Sequence, residues 1–141
     1  MKLGILGAGN IAEMMAKTVR QMKEAGQGNV TLYAVASRSL ERAQQFAQHN
    51  GVENAFGSYE EMLRDPELDL VYIATPHSHH SEQMQLCIAY GKHVLCEKAF
   101  TANAAQAAAV LQQAKEKGVL VTDPRRSKPV WKSVWSASMH R

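Results

Sequence analysis

The chain has 141 residues, 45% hydrophobic and 21% charged, with two cysteines and a formal net charge of +3. That size suits one domain that buries its own core without disulfide staples. The charge is uneven: residues 1–122 carry eleven Lys/Arg against twelve Asp/Glu, whereas residues 123–141 carry five (Arg125, Arg126, Lys128, Lys132, Arg141) against Asp123 alone, so the body of the chain offers no general attraction to nucleic acid.

No apolar run approaches the roughly 18 residues of a membrane span. The first strand begins at once and a glycine turn follows at Gly7, which leaves no room for a signal peptide. Cys87 and Cys96 are nine apart without a CxxC. They read as buried thiols in a reducing compartment. The expectation is a cytoplasmic protein with no membrane partner.

In chain order, Lys2–Leu6 reads as strand and residues 10–25 as helix, with Ile11, Met14, Met15, Val19 and Met22 at helical spacing on one face. Val30–Ala36 is rich in β-branched and apolar residues, as in a buried strand. Ser39 caps a helix that turns Leu40, Ala43, Phe46 and Ala47 inward and stops near Asn50-Gly51. Ser58 and Glu61 form a capping-box pair for a short helix through Arg64, closed by Asp65-Pro66. Asp69–Thr75 is strand, 79–90 helix and Lys92–Lys98 strand. Asn103 with Gln106 opens an Ala-rich helix to Lys117, and Gly118 precedes a last short strand. The order β-α-β-α-α-β-α-β-α-β implies right-handed crossovers: an α/β, doubly wound parallel sheet of Rossmann type in three layers, α/β/α, over residues 1–122. From Pro124 the alternation breaks. Residues 123–141 read as an irregular basic tail holding both tryptophans, Trp131 and Trp135.

Gly7-Ala8-Gly9-Asn10-Ile11-Ala12 fits G-x-G-x-x-A between a strand and a helix, the context that gives this weak motif its meaning. Gly7 permits the tight turn, Gly9 lets backbone approach a pyrophosphate, and Ala12 lets helix and strand pack closely. The stretch from Gly7 through Ala8, Gly9 and Asn10 to Ile11 would then face a dinucleotide across the helix N-terminus. NAD sites usually hold an acidic residue at the end of the second strand. Here that end reads Ala36-Ser37-Arg38-Ser39. Ser37 can donate to a 2′-phosphate, and Arg38 can pair with it or stack on adenine. Arg42, one turn later, could add charge. NADP is therefore favoured over NAD.

Two further strand ends supply the rest of a cofactor site: Thr75-Pro76-His77-Ser78-His79-His80 and Cys96-Glu97-Lys98-Ala99. Thr75, Pro76, His77, His80, Glu97 and Lys98 are the candidates, with His79 expected to be exposed. The Lys98 ammonium could bond a ribose hydroxyl and polarise a substrate oxygen that exchanges a proton. The three histidines in four residues lack a carboxylate or cysteine at a sensible spacing, so no metal is expected.

These residues resemble the Gfo/Idh/MocA oxidoreductases. The likeness covers residues 1–122 and rests on GAGNIA at 7–12, VASR at 35–38, VYIATPHSHH at 71–80 and GKHVLCEKAFTANAAQA at 91–107. The TPHxxH form and the Ser-Arg pair look most like the NADP-linked dihydrodiol and xylose dehydrogenase branch. The resemblance implies hydride transfer between NADP(H) and a sugar, polyol or diol, and makes Lys98, in the counterpart of the family's Glu-Lys-Pro motif, the catalytic candidate. Ala99 replaces the family's proline, which shapes the turn under the nicotinamide. The family's second domain, which supplies the substrate pocket and a homo-oligomer interface, has no counterpart in these residues. Residues 124–141 are accordingly expected to be an out-of-frame or foreign tail of a truncated product. Two alternatives stay open. One is a nucleotide-binding module without turnover. The other is nucleic-acid contact by the tail, through its basic residues and tryptophans; the reading made here has no nucleic-acid partner.

Overall fold

The computed structural model describes residues 1–26, 30–76, 79–96 and 104–122. Six parallel strands form one sheet: β1 (Lys2–Leu6), β2 (Thr31–Ala36), β3 (Asn54–Phe56), β4 (Leu70–Ile73), β5 (His93–Cys96) and β6 (Val121–Thr122). Five helices connect them: α1 (Asn10–Glu24), α2 (Leu40–Asn50), α3 (Tyr59–Leu63), α4 (His80–Ala89) and α5 (Ala104–Lys117). The strand order β3-β2-β1-β4-β5-β6 is that of a doubly wound dinucleotide-binding fold. The chain starts in the middle of the sheet, builds outward through β2 and β3, then returns to the other side of β1 through β4.

Alternation along the strands makes two cores. Leu3, Ile5, Val35, Leu70, Tyr72 and Leu95 pack against Ala12, Met15, Ala16 and Val19 of α1 and Ala43 and Phe46 of α2. Leu6, Ala36, Val71, Ile73, Val94 and Cys96 face the other way, onto α3, α4 and α5 through Met62, Leu63, Met84, Ile88 and Val110. Strands buried on both faces read as continuous apolar runs, which is how most of them were recognisable. Gly4 serves this packing: a Cβ there would lie 2.7 Å from Leu68 Cδ1 and 3.0 Å from Met62 Sδ.

Three expectations need correction. The sequence reading lacks β3, a three-residue strand that pairs in parallel with β2 from Ala34↔Asn54 to Ala36↔Phe56. The inward face of α1 is Ala12, Met15, Ala16 and Val19, whereas Ile11 and Met14 are 46% and 70% exposed. Alanines let α1 lie close on the sheet, and the larger side chains beside them are turned outward. Leu40 is likewise exposed. It sits at the start of α2, over Gly57 rather than in the core. Ser39 and Ser58 do cap α2 and α3, accepting from the backbone N–H of Arg42 and Glu61. Cys87 and Cys96 are both buried thiols. Among the described residues no helix is long and apolar enough to cross a membrane. Asn103 and residues 123–141 lie outside the described residues.

At the amino edge of the sheet, a polar network holds the loop that leads into β4. The buried Lys92 ammonium donates to the carbonyls of Asp65 and Leu68, each at 2.8 Å. The Tyr33 hydroxyl donates to the Asp65 carboxylate at 2.6 Å. Lys2 pairs with Glu67 at 2.7 Å and lies 4.9 Å over the Tyr33 ring. The Tyr33 hydrogen bond, above all, holds the Asp65 carboxyl below its ordinary range. A carboxyl depressed in the fold binds its proton first in the unfolded chain, so its contribution is present above the ordinary carboxylate pKa and is lost as pH falls through the folded value. Tyr33→Phe should therefore destabilise the chain more at pH about 7 than at pH about 2. Urea unfolding of both forms at the two pH values checks this; an equal difference at both would contradict it.

Candidate functional site

Ligands of doubly wound sheets sit beyond the carboxyl ends of the strands, where the strand order reverses. Here that point is the junction of β1 and β4. The chain leaves β1 through Gly7, whose φ of +102° lies in the region that disfavours every residue with a side chain. Its N–H donates to Ala36 O at 2.8 Å, and Ala74 N donates to Leu6 O at 2.9 Å. A Cβ on Gly7 would lie 3.1 Å from the Ala74 carbonyl oxygen. Gly7 thus seals the ends of β1, β2 and β4 together.

Gly9 is different in kind. Its φ is −97°, open to any residue, and a Cβ on it would meet no atom within 4 Å. Nothing in the protein requires glycine there. The bare backbone faces open space, and Gly9 is also the N-cap of α1, with no side chain capping that end. The first-turn N–H groups of α1, and the positive end of its dipole, are therefore turned to whatever fills the space. The N-terminus of α4, whose N-cap is His79, also lacks a side-chain cap. These two uncapped ends border one cavity, which the serine-capped α2 and α3 also line through Arg42 and Tyr59.

That cavity, of about 300 Å³, is lined by Gly7, Ala8 and Gly9 from the β1 turn, Ser37, Arg38 and Arg42 beyond β2, and Thr75 and Pro76 beyond β4. Ser37 is buried, and its Oγ accepts from the Ser39 N–H at 3.3 Å, an arrangement in which its own O–H can donate outward. Among the described residues no carboxylate lines this cavity, and Arg38 and Arg42 contribute a positive field suited to an anion. A second cavity of about 370 Å³ adjoins it, sharing Ala74, Thr75 and Pro76 and lined otherwise by Asn10, Ile11, Ile73 and His80. The site is thus in two parts, one cationic and one apolar, joined at the turn after β4.

That turn is tied down from several sides. The Thr75 hydroxyl donates to Gln83 Oε1, and His80 Nε2 lies 2.7 Å from the Thr75 carbonyl oxygen. His80 is only 3% exposed. His79 is half-buried rather than exposed, as the sequence had suggested, and lines the first cavity with Tyr59 and Gln83. Those three were not candidates from the sequence; the one signal for Gln83 is its place one helical turn after His79, on the same face of α4. The structure brings Gly7, Ala8, Gly9, Asn10, Ile11, Ser37, Arg38, Thr75, Pro76 and His80 to the two cavities. His77, Glu97 and Lys98 lie outside the described residues. Among the described residues no cluster of three or more His, Cys, Asp or Glu could hold a metal ion.

A family model for oxidoreductases with an NAD-binding Rossmann fold, Gfo/Idh/MocA, matches residues 1–123. The chain belongs to that family. It is 42% identical over 130 residues to the D-xylose 1-dehydrogenase (NADP(+)) of Hypocrea jecorina, covering 87% of this chain and 33% of the relative. It is 38% identical over 123 residues to the mouse trans-1,2-dihydrobenzene-1,2-diol dehydrogenase, covering 87% of this chain and 36% of the relative. Among solved structures, an NAD binding oxidoreductase from Klebsiella pneumoniae superposes with a TM-score of 0.81 at 32% identity, covering 87% of this chain and 34% of that one. The chain thus spans about a third of the length of the curated relatives it matches, and what it shares with them is the nucleotide-binding Rossmann domain.

The two glycines of the turn make a paired prediction. Gly7→Ala should destabilise the fold by about 1–3 kcal/mol, because its backbone conformation and the Ala74 carbonyl both oppose a methyl group. Gly9→Ala should change stability by less than about 1 kcal/mol, since only a small capping preference is lost. It should nevertheless abolish dinucleotide binding by filling the open space. Chemical denaturation and a fluorescence titration with NADPH separate the two effects.

Proposed function

We propose that residues 1–122 hold NADP(H) and are the cofactor half of an oxidoreductase that moves hydride to or from a hydroxyl-bearing carbon of a sugar, polyol or diol. The observation that carries this reading is the open space over Gly9, a glycine the fold does not need, continuous with the Ser37–Arg38–Arg42 surface. The pyrophosphate would lie against the N–H groups of Gly9, Asn10 and Ile11. Ser37, Arg38 and Arg42 would take the 2′-phosphate, each charged hydrogen bond contributing about 1.5–3 kcal/mol. The more apolar second cavity, with Ile11, Ile73 and His80, suits the nicotinamide end. The first curated relative carries NADP(+) in its name, in keeping with this.

The bound dinucleotide supplies the hydride acceptor or donor. This chain's residues would orient it and exclude water around the reacting carbon. Lys98 would move the hydroxyl proton, a role that rests on the family motif matched by Glu97-Lys98 and on its place two residues beyond the end of β5. His77, which follows β4 in the sequence, would also contact the cofactor. The two buried thiols suit a cytoplasmic location. A second reading is a dinucleotide-binding module without turnover. It rests on the matched family model being that of the NAD-binding Rossmann fold over residues 1–123, and an assay of D-xylose and trans-diol oxidation by the chain as given distinguishes the two.

The cofactor reading is tested by titrating NADPH and NADH against the chain and its Arg38→Ala variant. NADPH should bind more tightly, and the variant should lose about tenfold to hundredfold in NADPH affinity with a smaller loss for NADH. Equal affinity of the parent chain for both would refute the preference for NADP.

A further inference from the structure

The end of β5 carries a contact that the cofactor reading does not use. Cys96 Sγ lies 3.3 Å from His80 Nδ1, and the other ring nitrogen faces the Thr75 carbonyl oxygen at 2.7 Å. We infer that Cys96 is a positioning residue: its thiol donates to Nδ1 and fixes His80 as the tautomer whose Nε2–H holds the Thr75 carbonyl.

The assignment follows from which atoms can donate. A carbonyl oxygen only accepts, so Nε2 carries the hydrogen. In the neutral ring Nδ1 then holds a lone pair, and the thiol S–H is its matching donor. Both groups are buried, His80 at 3% exposure and Cys96 at 0%. Burial favours this neutral pair over a thiolate–imidazolium pair. The neighbouring Cys87 thiol is pushed up by burial, which keeps it protonated.

The geometry gives the pair a purpose. Cys96 is the last residue of β5 and pairs in register with Ile73, the last of β4. His80 is the first residue of α4. The imidazole therefore ties together three elements at the wall of the second cavity: the exit from β4, the start of α4 and the end of β5. The Thr75 hydroxyl is already engaged by Gln83 of the same helix, so the whole Thr75–Pro76 turn is held by α4 and, through Cys96, by β5. An aliphatic residue at 96 would fill the space but remove the thiol donor to Nδ1 and with it this tie between β5 and the turn. The consequence for binding rests on the dinucleotide reading above; the tautomer does not.

Long-range ¹H–¹⁵N correlation of the full 141-residue chain, labelled at histidine, reads the hydrogen on each ring nitrogen, with the His80 signals assigned by their loss in His80→Gln. The parent chain should show Nε2 protonated and Nδ1 bare. Cys96→Ser, which keeps a donor, should retain that pattern and NADPH affinity within about twofold. Cys96→Val should move the Nδ1 resonance downfield or mix the tautomers, and weaken NADPH binding by about three- to tenfold. Both nitrogens protonated in the parent chain, or an unchanged His80 spectrum in Cys96→Val, would overturn the assignment. If Cys96→Val does not fold, loss of the pattern in Cys96→Ser would overturn it equally. The spectra need no dinucleotide: spectra that behave as expected in chains that bind no NADPH would leave the Cys96 assignment standing and remove the cofactor reading.

Discussion

The constraint on which the rest depends is the meeting of three backbones at Gly7. The ends of β1, β2 and β4 approach so closely there that the Ala74 carbonyl leaves no room for a side chain, and the chain must turn through a left-handed conformation. Two hydrogen bonds, Gly7 N to Ala36 O and Ala74 N to Leu6 O, fix the approach. Because the strand order reverses between β1 and β4, the connections leave in opposite directions and open a crevice directly above this point. Three walls of the two cavities are loops anchored at that junction: the glycine turn, Ser37-Arg38, and the Thr75-Pro76 turn. A looser junction would move all three walls at once.

The molecule treats its helix starts in two ways. Ser39 and Ser58 cap α2 and α3 with their hydroxyls, a local stabilisation of about 0.5–2 kcal/mol each. At α1 the N-cap is glycine and at α4 it is His79, neither with a side-chain cap. Both kinds border the crevice, since Arg42 of α2 and Tyr59 of α3 line it beside Gly9 and His79, but only the starts of α1 and α4 do so without a side-chain cap. Stability has been forgone at the two helix ends where a polar ligand could supply the missing acceptors. The amino edge of the sheet shows the opposite policy, with Lys92, Tyr33 and Asp65 satisfying one another and the loop carbonyls.

Much of this was legible in the sequence because its strands are buried on both faces and its helices end on recognisable residues. β1, β2, β4 and β5 are apolar runs, and Gly51, Gly91 and Gly118 all take positive φ close behind a helix. β3 was not legible: Asn54–Phe56 is three half-buried residues at the sheet edge without a β-branched side chain. The inward face of α1 was misread because the period of large side chains was followed, while the close contact with the sheet is made by Ala12 and Ala16. In the candidate site, the glycine turn and Ser37-Arg38 carry their chemistry in residue type and order, so they could be named in advance. The difference between His79 and His80 could not. It depends on the angle at which α4 starts, which turns one ring along the cavity and the other down between β4 and β5.

The exposed Ile11 and Met14 fit the same picture rather than departing from it. Position 11 follows the glycine turn by one helical step, on the side of α1 that turns away from the sheet and toward the second cavity. A polar residue there would cost little in the isolated domain, since the position is half open to solvent. An isoleucine makes sense if a planar, largely uncharged group is to lie against it, with Ile73 below. The cationic part of the crevice selects for charge at one end of a ligand, and the apolar part selects against it at the other. The proposed dinucleotide, with a third phosphate at one end and a nicotinamide at the other, would use both parts.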